Sequence, residues 1–384
     1  MRFRLYSCWH DLPAGYAGLF ARAGAADFCL GRAWFEALAA TTLAEEERLG
    51  IAGIEADTPG ASPRACLVGR HRERDPAFWG ARSFSSLSNY YTLHYAPLAD
   101  GGEVATALIE LALGLRARHP RYDVLHFEPL VPGTALFDDL AAALDAAGLV
   151  TRRYFRFGNW YEDTAGLSFQ SYLARRPSAL RHTLRRKSGR LARAGVVRTA
   201  VVRERAAVDP AMDRYEDVYA ASWKPVEPYP AFIRRLAGNL ADAGALRLGF
   251  LWLDDRPIAA QIWIVWEGRA VLYKLAHDRS FDALSPGTVL TVRMLERLLD
   301  DERVTEIDLG AGDDPYKRLW ASRRRERVGL VGFDPGTLRG SAGILRHVLT
   351  PRLRPASAHP GRASGPGSEA SGPGGVIGSC SAPK

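Results

Sequence analysis

The stretch from Leu246 to Trp320 constrains this chain more than any other. Three runs rich in Leu, Ile, Val and Trp open it: LRLGFLWL, AAQIWIVW and AVLYKLAH. Turn signals at DDRP and EGR separate them, which predicts an antiparallel meander of three strands. Ser285-Pro286-Gly287-Thr288 then reads as a helix start, with a serine that can cap and a proline suited to the first turn. Val289, Val292, Leu295, Leu298 and Leu299 recur at helical spacing and give that helix one apolar face. A short strand, VTEIDLG, follows at once. Strand, helix and strand predict a parallel pair closed by a right-handed crossover. The amides of Gly287, Thr288 and Val289 are then the unpaired donors of the helix start, a candidate anion site.

The preceding chain repeats this plan without repeating its residues. FRLY predicts a first short strand, and Phe28 to Leu43 a helix with Trp34, Phe35 and Leu38 on its apolar face. IAGIEA and RACLVGRH, joined by TPGASP, predict a hairpin, and Ser83 to Pro97 one or two aromatic strands. A helix follows over Gly101 to His119, then the strand YDVLHFEPL, then a helix over Thr134 to Ala147. Strand, linker, helix and strand thus occur twice, an architectural repeat. TRRYFRFGNWYED bridges the halves as a strand. Past it come a short helix from Phe169, broken at Arg176-Pro177, and a basic helix from Ser178 to about Ala194. That helix buries Leu180, Leu184 and Leu191 and carries Arg181, Arg185, Arg186, Lys187, Arg190 and Arg193 elsewhere. VVRTAVVRE is a strand, and helices over Ala211–Trp223 and Ala231–Ala243 lead into the meander. ILRHVLTPRLR is a candidate short basic helix, and the Pro/Gly/Ser/Ala tail from Pro355 to Lys384 is expected to be disordered.

These readings give an α/β chain with mixed sheets in two tandem units. The first covers residues 1–160 and the second 161–338, with a basic segment and tail over 339–384. At 384 residues the chain has ample length for two cores, and 47% hydrophobic content excludes global disorder. A net charge of +8 favours acidic partners such as phosphates, nucleotides or anionic surfaces. Cys8, Cys29, Cys66 and Cys380 show no metal or CxxC spacing, which points to free thiols and no metal. No signal-peptide core and no run of about 18 apolar residues occurs. A cytoplasmic protein without integral membrane association is expected. Walker, G-x-S-x-G and dinucleotide fingerprints are missing.

The order RPIAAQIW, YKLAHD, LSPGTVL and IDLGAGDDPYKRLW resembles the GNAT-superfamily acyltransferases, in the FemAB-like branch known as cellulose-biosynthesis-type acetyltransferases. A W-F-x-x-L helix near Trp34, SNYYTLHYAP and LRHTLRRKSGRL also fit, so the resemblance spans residues 1–335. It implies two tandem units of the acyl-CoA N-acyltransferase fold, the first degenerate, since that unit lacks an SPG helix start and a YK-xx-W ending. It implies acetyl-CoA or another acyl-CoA as donor, and an amine or hydroxyl acceptor such as a sugar or envelope-polysaccharide precursor. The standard phosphate loop of GNAT enzymes is replaced here by Ala283-Leu284-Ser285-Pro286-Gly287. Two alternatives stay open. One is FemAB-type aminoacyl transfer from tRNA to a peptidoglycan-type precursor, with the basic helix gripping RNA. The other is a catalytically silent module that binds a phosphate-bearing ligand.

Acyl transfer to an amine needs a proton acceptor and donors for the developing oxyanion. Asp308 is a candidate to orient or deprotonate the nucleophile, Lys317 to steady a carbonyl or phosphate, and Tyr316 to protonate the leaving thiolate. His277 has an ordinary pKa suited to a general base and is the only histidine between His182 and His347. Ser285, Gly287, Thr288 and Val289 are the candidate donor-binding residues, and Trp223, Gln261, Tyr273 and Lys274 the candidate substrate-binding residues. Each also has a structural reading: a helix cap, a salt bridge, a core aromatic or a polar edge position. The acyl-transfer reading requires Gly287 to be open to a cleft that leads toward Lys317.

Overall fold

A computed structural model describes residues 1–56, 62–99 and 101–349. TPGASP falls largely outside these residues, as do the tail, Cys380 and the end of the candidate helix ILRHVLTPRLR. The described residues divide into two units, the first holding 1–156 and 326–349, the second Phe157–Arg325. The first boundary lies close to the expected residue 160. The second does not lie at 338, because the strand following Arg325 belongs to the first unit's sheet.

The first unit contains β1 (Arg2–Tyr6), α1 (Tyr16–Ala26), α2 (Arg32–Thr42), β2 (Glu47–Glu55), β3 (Ala65–Asp75), β4 (Ala81–Ser86), β5 (Leu98–Ala99), α3 (Val104–Arg116), β6 (Val124–Leu130) and α4 (Ala135–Ala146). Strands β1 to β4 are antiparallel neighbours, and β6 joins β4 in parallel after the α3 crossover. The long β7 (Val150–Asp163) starts here. The second unit contains α5 (Phe169–Ala174), α6 (Ser178–Ala192), β8 (Val197–Val202), α7 (Val208–Ala220), α8 (Pro230–Asp242), β9 (Leu246–Leu253), β10 (Arg256–Trp266), β11 (Arg269–His277), α9 (Pro286–Glu296), β12 (Glu306–Ala311) and α10 (Lys317–Trp320). Here β8 to β11 are antiparallel neighbours and β12 joins β11 in parallel. The strand plan is that of the first unit, as the repeat predicts. Each plan ends on an antiparallel strand: residues of β7 beside β12, and β13 (Arg323–Phe333) beside β6. A last helix, α11, covers Leu338–Ile344.

The meander forms where its residues require it. The EGR turn puts Glu267 at φ 46° and Gly268 at φ 72°, the left-handed pair that matches strand twist in a two-residue hairpin. Trp263, Ile258, Leu272 and Leu275 face a core shared with Val289, Leu290, Met294, Leu295 and Leu298. The apolar stripe read from α9 is therefore the one that packs, and the helix extends into a π turn over Arg297–Asp301.

Several expectations change. Phe28 to Leu43 is not one helix: a 3₁₀ turn at Phe28–Leu30 precedes α2, and Gly31 between them is extended. Only Ala81–Ser86 of the aromatic stretch is a strand; SNYYTLHYAP runs irregularly past it. Several elements have no counterpart in the expectations, among them α1, rich in Ala and Gly, α10, and β13, which starts with RRRER.

Candidate active site

Strands β11 and β12 pair only from Arg269–Val271 against Glu306–Asp308. Beyond that β11 continues to His277 without β12 as a partner, and α9 starts after the turn that follows. The functional side chains separate into two groups around this gap.

The first group surrounds the start of α9. Ser285 sits in the left-handed region at φ 51° and its side chain makes no cap bond. Its carbonyl instead accepts the N–H groups of Thr288 at 3.1 Å and Val289 at 3.3 Å. The expected row of three free amides is therefore not present. Gly287 is buried, and a Cβ there would lie 3.2 Å from His277 Nδ1. The requirement that Gly287 open onto a cleft toward Lys317 is not met; Ser285 and Thr288 on either side are half-buried, and any acyl-transfer reading must rest on them and on the cations beside them instead. Lys187 of α6 donates to Thr288 Oγ1 at 3.4 Å, and Arg190 donates to the Ala283 carbonyl at 3.0 Å. The basic helix thus places two cations along residues 283–288. Burial, and then the neighbouring Arg186, lower the Lys187 pKa from its ordinary value.

His277 is 7% exposed at the end of β11. Its Nε2 lies 2.7 Å from Asp282 Oδ1. A carboxylate only accepts, so Nε2 carries the proton and Nδ1 keeps its lone pair. Nδ1 is buried without a hydrogen-bond partner and faces Gly287. Burial pushes the His277 pKa down, opposed by the Asp282 hydrogen bond, so the ring is neutral near pH 7. Trp223 packs on it with ring centroids 4.5 Å apart. Gln261 is fully buried and does not face substrate. Its Nε2 donates to the Gly287 carbonyl at 3.1 Å and Thr291 Oγ1 at 2.8 Å, while its Oε1 accepts from Trp263 Nε1 at 2.8 Å. Gln261 therefore pins the α9 start to β10. Tyr273 is half-buried and is the extra residue of β11 where its pairing with β10 shifts between Ile262 and Trp263.

Lys274 points the other way. Gln261 faces α9 and pairs across the sheet with Leu275, so Lys274 beside it lies on the opposite face. There it is ion-paired with Glu227, and its ammonium lies 5.3 Å from the centre of the Tyr219 ring. Burial lowers its pKa while Glu227 raises it. Lys274 is therefore not a neighbour of His277 in the site.

The second group is the IDLGAGDDPYK segment, and most of it is a buckle. Asp308, 4% exposed, accepts from Asn159 Nδ2 at 2.6 Å, Gly310 N at 2.7 Å and Arg325 Nη2 at 2.6 Å. Arg325 also grips Glu306 and Asn159 Oδ1. A carboxylate with this set of donors is an anchor, which corrects the proton-acceptor role expected for Asp308. Lys317, 3% exposed, donates to the carbonyls of Ala311 at 2.6 Å and Gly312 at 3.3 Å. Its ammonium ties the bulged end of β12, where Gly310 and Gly312 have positive φ, so the expected role on a substrate carbonyl is corrected too. Tyr316 packs against the core, and burial, then Asp314, raise its pKa, so it stays a phenol. Asn159 and Arg325 escaped the sequence reading. Arg176 did as well: it is bidentate to Glu162 at 2.6 and 2.9 Å, which fixes the chain two residues before α6. Among the described residues no group of His, Cys, Asp and Glu could hold a metal, and no helix is long and apolar enough to cross a membrane.

Residues 178–318 match the family model for an acetyltransferase (GNAT) domain. The match lies within the second unit. The whole chain has the fold of the structure titled FemX, at 10% identity and a TM-score of 0.57, over 90% of this chain and 100% of that one. A conserved protein of unknown function from Bacteroides thetaiotaomicron is similar at 8% identity and a TM-score of 0.53, over 86% of this chain and 100% of that one. At these identities the likeness concerns the fold alone. No curated protein matches the sequence. The chain thus has a GNAT acyltransferase fold with FemAB-like structural relatives.

Proposed function

We propose that this chain transfers an acyl group from a phosphate-bearing thioester, most simply acetyl-CoA, to an amine or hydroxyl acceptor. The observation that carries the reading is the arrangement at the α9 start: Lys187 and Arg190 along residues 283–288, with the bare Nδ1 of His277 beside Gly287. Cations at a helix start suit a pyrophosphate, and they stand in for the glycine-rich loop that this chain lacks. The acceptor nitrogen or oxygen forms a bond to the thioester carbon, the C–S bond breaks, and the acceptor's proton passes to His277 Nδ1. The sulfur leaves as a thiolate, a weaker base than the Tyr316 phenolate, and takes its proton from water; Tyr316, whose pKa burial raises, stays a phenol. Asp308 and Lys317 hold the end of β12 without reacting. The first unit is scaffold: Ser86 bridges β4 to β6 through both backbone groups of Glu128, at 2.8 and 3.1 Å, and so closes the equivalent gap.

A sugar or envelope-polysaccharide precursor is the acceptor that the resemblance favours. The aminoacyl-tRNA reading draws on one observation, the exposed Arg185, Arg186 and Arg193 on α6. The test is release of free thiol from acetyl-CoA and longer acyl-CoAs in the presence of amine or amino-sugar acceptors, alongside binding of aminoacyl-tRNA. Acceptor-dependent thiol release supports acyl-CoA transfer. Its absence, with steeply salt-dependent tRNA binding, transfers the reading to tRNA.

A further inference from the structure

The last helix of the first unit is apolar on two faces. Helix α11 runs from Leu338 to Ile344 and continues as a π turn over Leu345–Leu349. Its inner face is seated on the end of β13. A Cβ on Gly343 would lie 2.4 Å from the Phe333 ring, so glycine is what permits the approach. Ile344 and Val348 then join Val331 and Phe333 in a small core. Leu338, Ala342 and Leu345 follow the i, i+4, i+7 spacing on the opposite side. Leu338 is 92% exposed and Leu345 60%. A helix that packs only on its own unit would carry polar residues there.

The outer stripe has a cationic flank, because Arg339 and Arg346 each follow one of its leucines. Both reach the turn that joins β3 to β4. Arg339 donates to the Gly80 carbonyl, and the Arg346 guanidinium lies 4.1 Å from the centre of the Trp79 ring. Trp79 is 49% exposed and stacks on His347, with ring centroids 5.0 Å apart. Helix and turn therefore present one surface on which leucine, arginine and tryptophan adjoin. No acidic residue occurs in the sequence from Pro335 to Ser368, and Arg352, Arg354 and Arg362 follow the helix. Apolar side chains beside uncompensated positive charge complement a partner that is both apolar and anionic.

We propose that α11 and the Trp79 turn dock the first unit on an anionic phospholipid surface. Leu338 and Leu345 enter the boundary of the acyl chains, Trp79 sits at headgroup level, and Arg339 and Arg346 meet lipid phosphates. A leucine with 92% exposure has no walls around it, so the surface is convex and suits a fluid layer better than a preformed protein pocket. Among the described residues no helix is long and apolar enough to cross a membrane, so α11 lies along the surface. Firm docking needs apolar burial and charge together. The proposal does not depend on the acyl-transfer reading.

The experiment is sedimentation of the full chain with vesicles of phosphatidylcholine alone and of phosphatidylcholine mixed equally with phosphatidylglycerol. Binding is expected to the anionic vesicles only, and should weaken toward about 1 M salt, where charges are screened within about 3 Å. Leu338→Ser combined with Leu345→Ser keeps the charge and removes exposed side chains alone. That variant should melt as the wild type does and bind at least about tenfold more weakly. Brominated phosphatidylglycerol should quench Trp79 fluorescence, a signal that Trp79→Phe removes. Arg185→Gln combined with Arg193→Gln, on α6, should change binding less than the leucine variant. Absence of binding to anionic vesicles overturns the proposal. Binding that the leucine variant retains in full also overturns it, because that is plain attraction of a basic chain. A larger loss from the α6 variant would transfer docking to the second unit, and a wild-type dimer abolished by the leucine variant would assign the face to a second copy; either result overturns the proposal.

Discussion

Gly287→Ala tests the contact on which the site turns. The new Cβ would lie 3.2 Å from His277 Nδ1, closer than side chains normally sit. The ring has little room to retreat, with Nε2 bonded to Asp282 at 2.7 Å and Trp223 centred 4.5 Å away. Overpacking of this kind costs about 1–3 kcal/mol. Removing a glycine from a helix returns about 0.5–1 kcal/mol. A net loss of about 1 kcal/mol is therefore expected in urea unfolding, and the variant remains folded. A ring displaced by a few tenths of an ångström should lower kcat/KM for thiol release by about tenfold, since an ångström costs about a hundredfold. Loss of the Asp282 bond, which raises the His277 pKa, should also move the acid limb of the pH–rate profile to lower pH. On a His277→Ala background Gly287→Ala should have no further effect on rate. A folded Gly287→Ala protein with wild-type kcat/KM and an unmoved acid limb would refute the contact's role.

Other outcomes follow from the same geometry. Gln261→Leu orphans the buried Trp263 N–H and should lower stability by about 1–3 kcal/mol in urea melts. Asp308→Ala strips Arg325 of a buried partner and should cost about 3 kcal/mol, while the protein that remains folded keeps most of its turnover; a complete loss of turnover in folded protein would restore Asp308 as the base. His277 is held below its unfolded pKa, so the unfolded chain binds the extra proton and stability falls as pH drops below about 6.5 toward the folded value. His277→Gln should remove that component from the difference between melts at neutral and acidic pH.

What the sequence could and could not convey follows from how local each signal is. The meander, the α9 stripe and the β12 strand are legible because period, turn residues and apolar content agree within a few positions of one another. Their repetition revealed the first unit's plan although the residues barely match. Candidate chemistry was less legible, because a charged side chain's role depends on distant partners. Asp308 and Lys317 look reactive in a line of text; Arg325, Asn159 and the 310–312 carbonyls make them anchors. Conversely, RRRER conceals a strand whose Arg325 is an internal partner, and Arg176 reads as a helix breaker rather than a buried clamp. His277 was identifiable by its isolation in the sequence, but its bare nitrogen was not, since that depends on Asp282 fixing the tautomer.

The most direct test of the account is a pair of calorimetric titrations, one with CoA and one with pantetheine, which lacks the nucleotide and its phosphates. The α9 start with Lys187 and Arg190 predicts that CoA binds far more tightly, and that Lys187→Met narrows the gap by about ten- to a hundredfold by weakening CoA alone. Equal affinity for the two ligands, or a Lys187→Met protein that binds CoA as the wild type does, would contradict it.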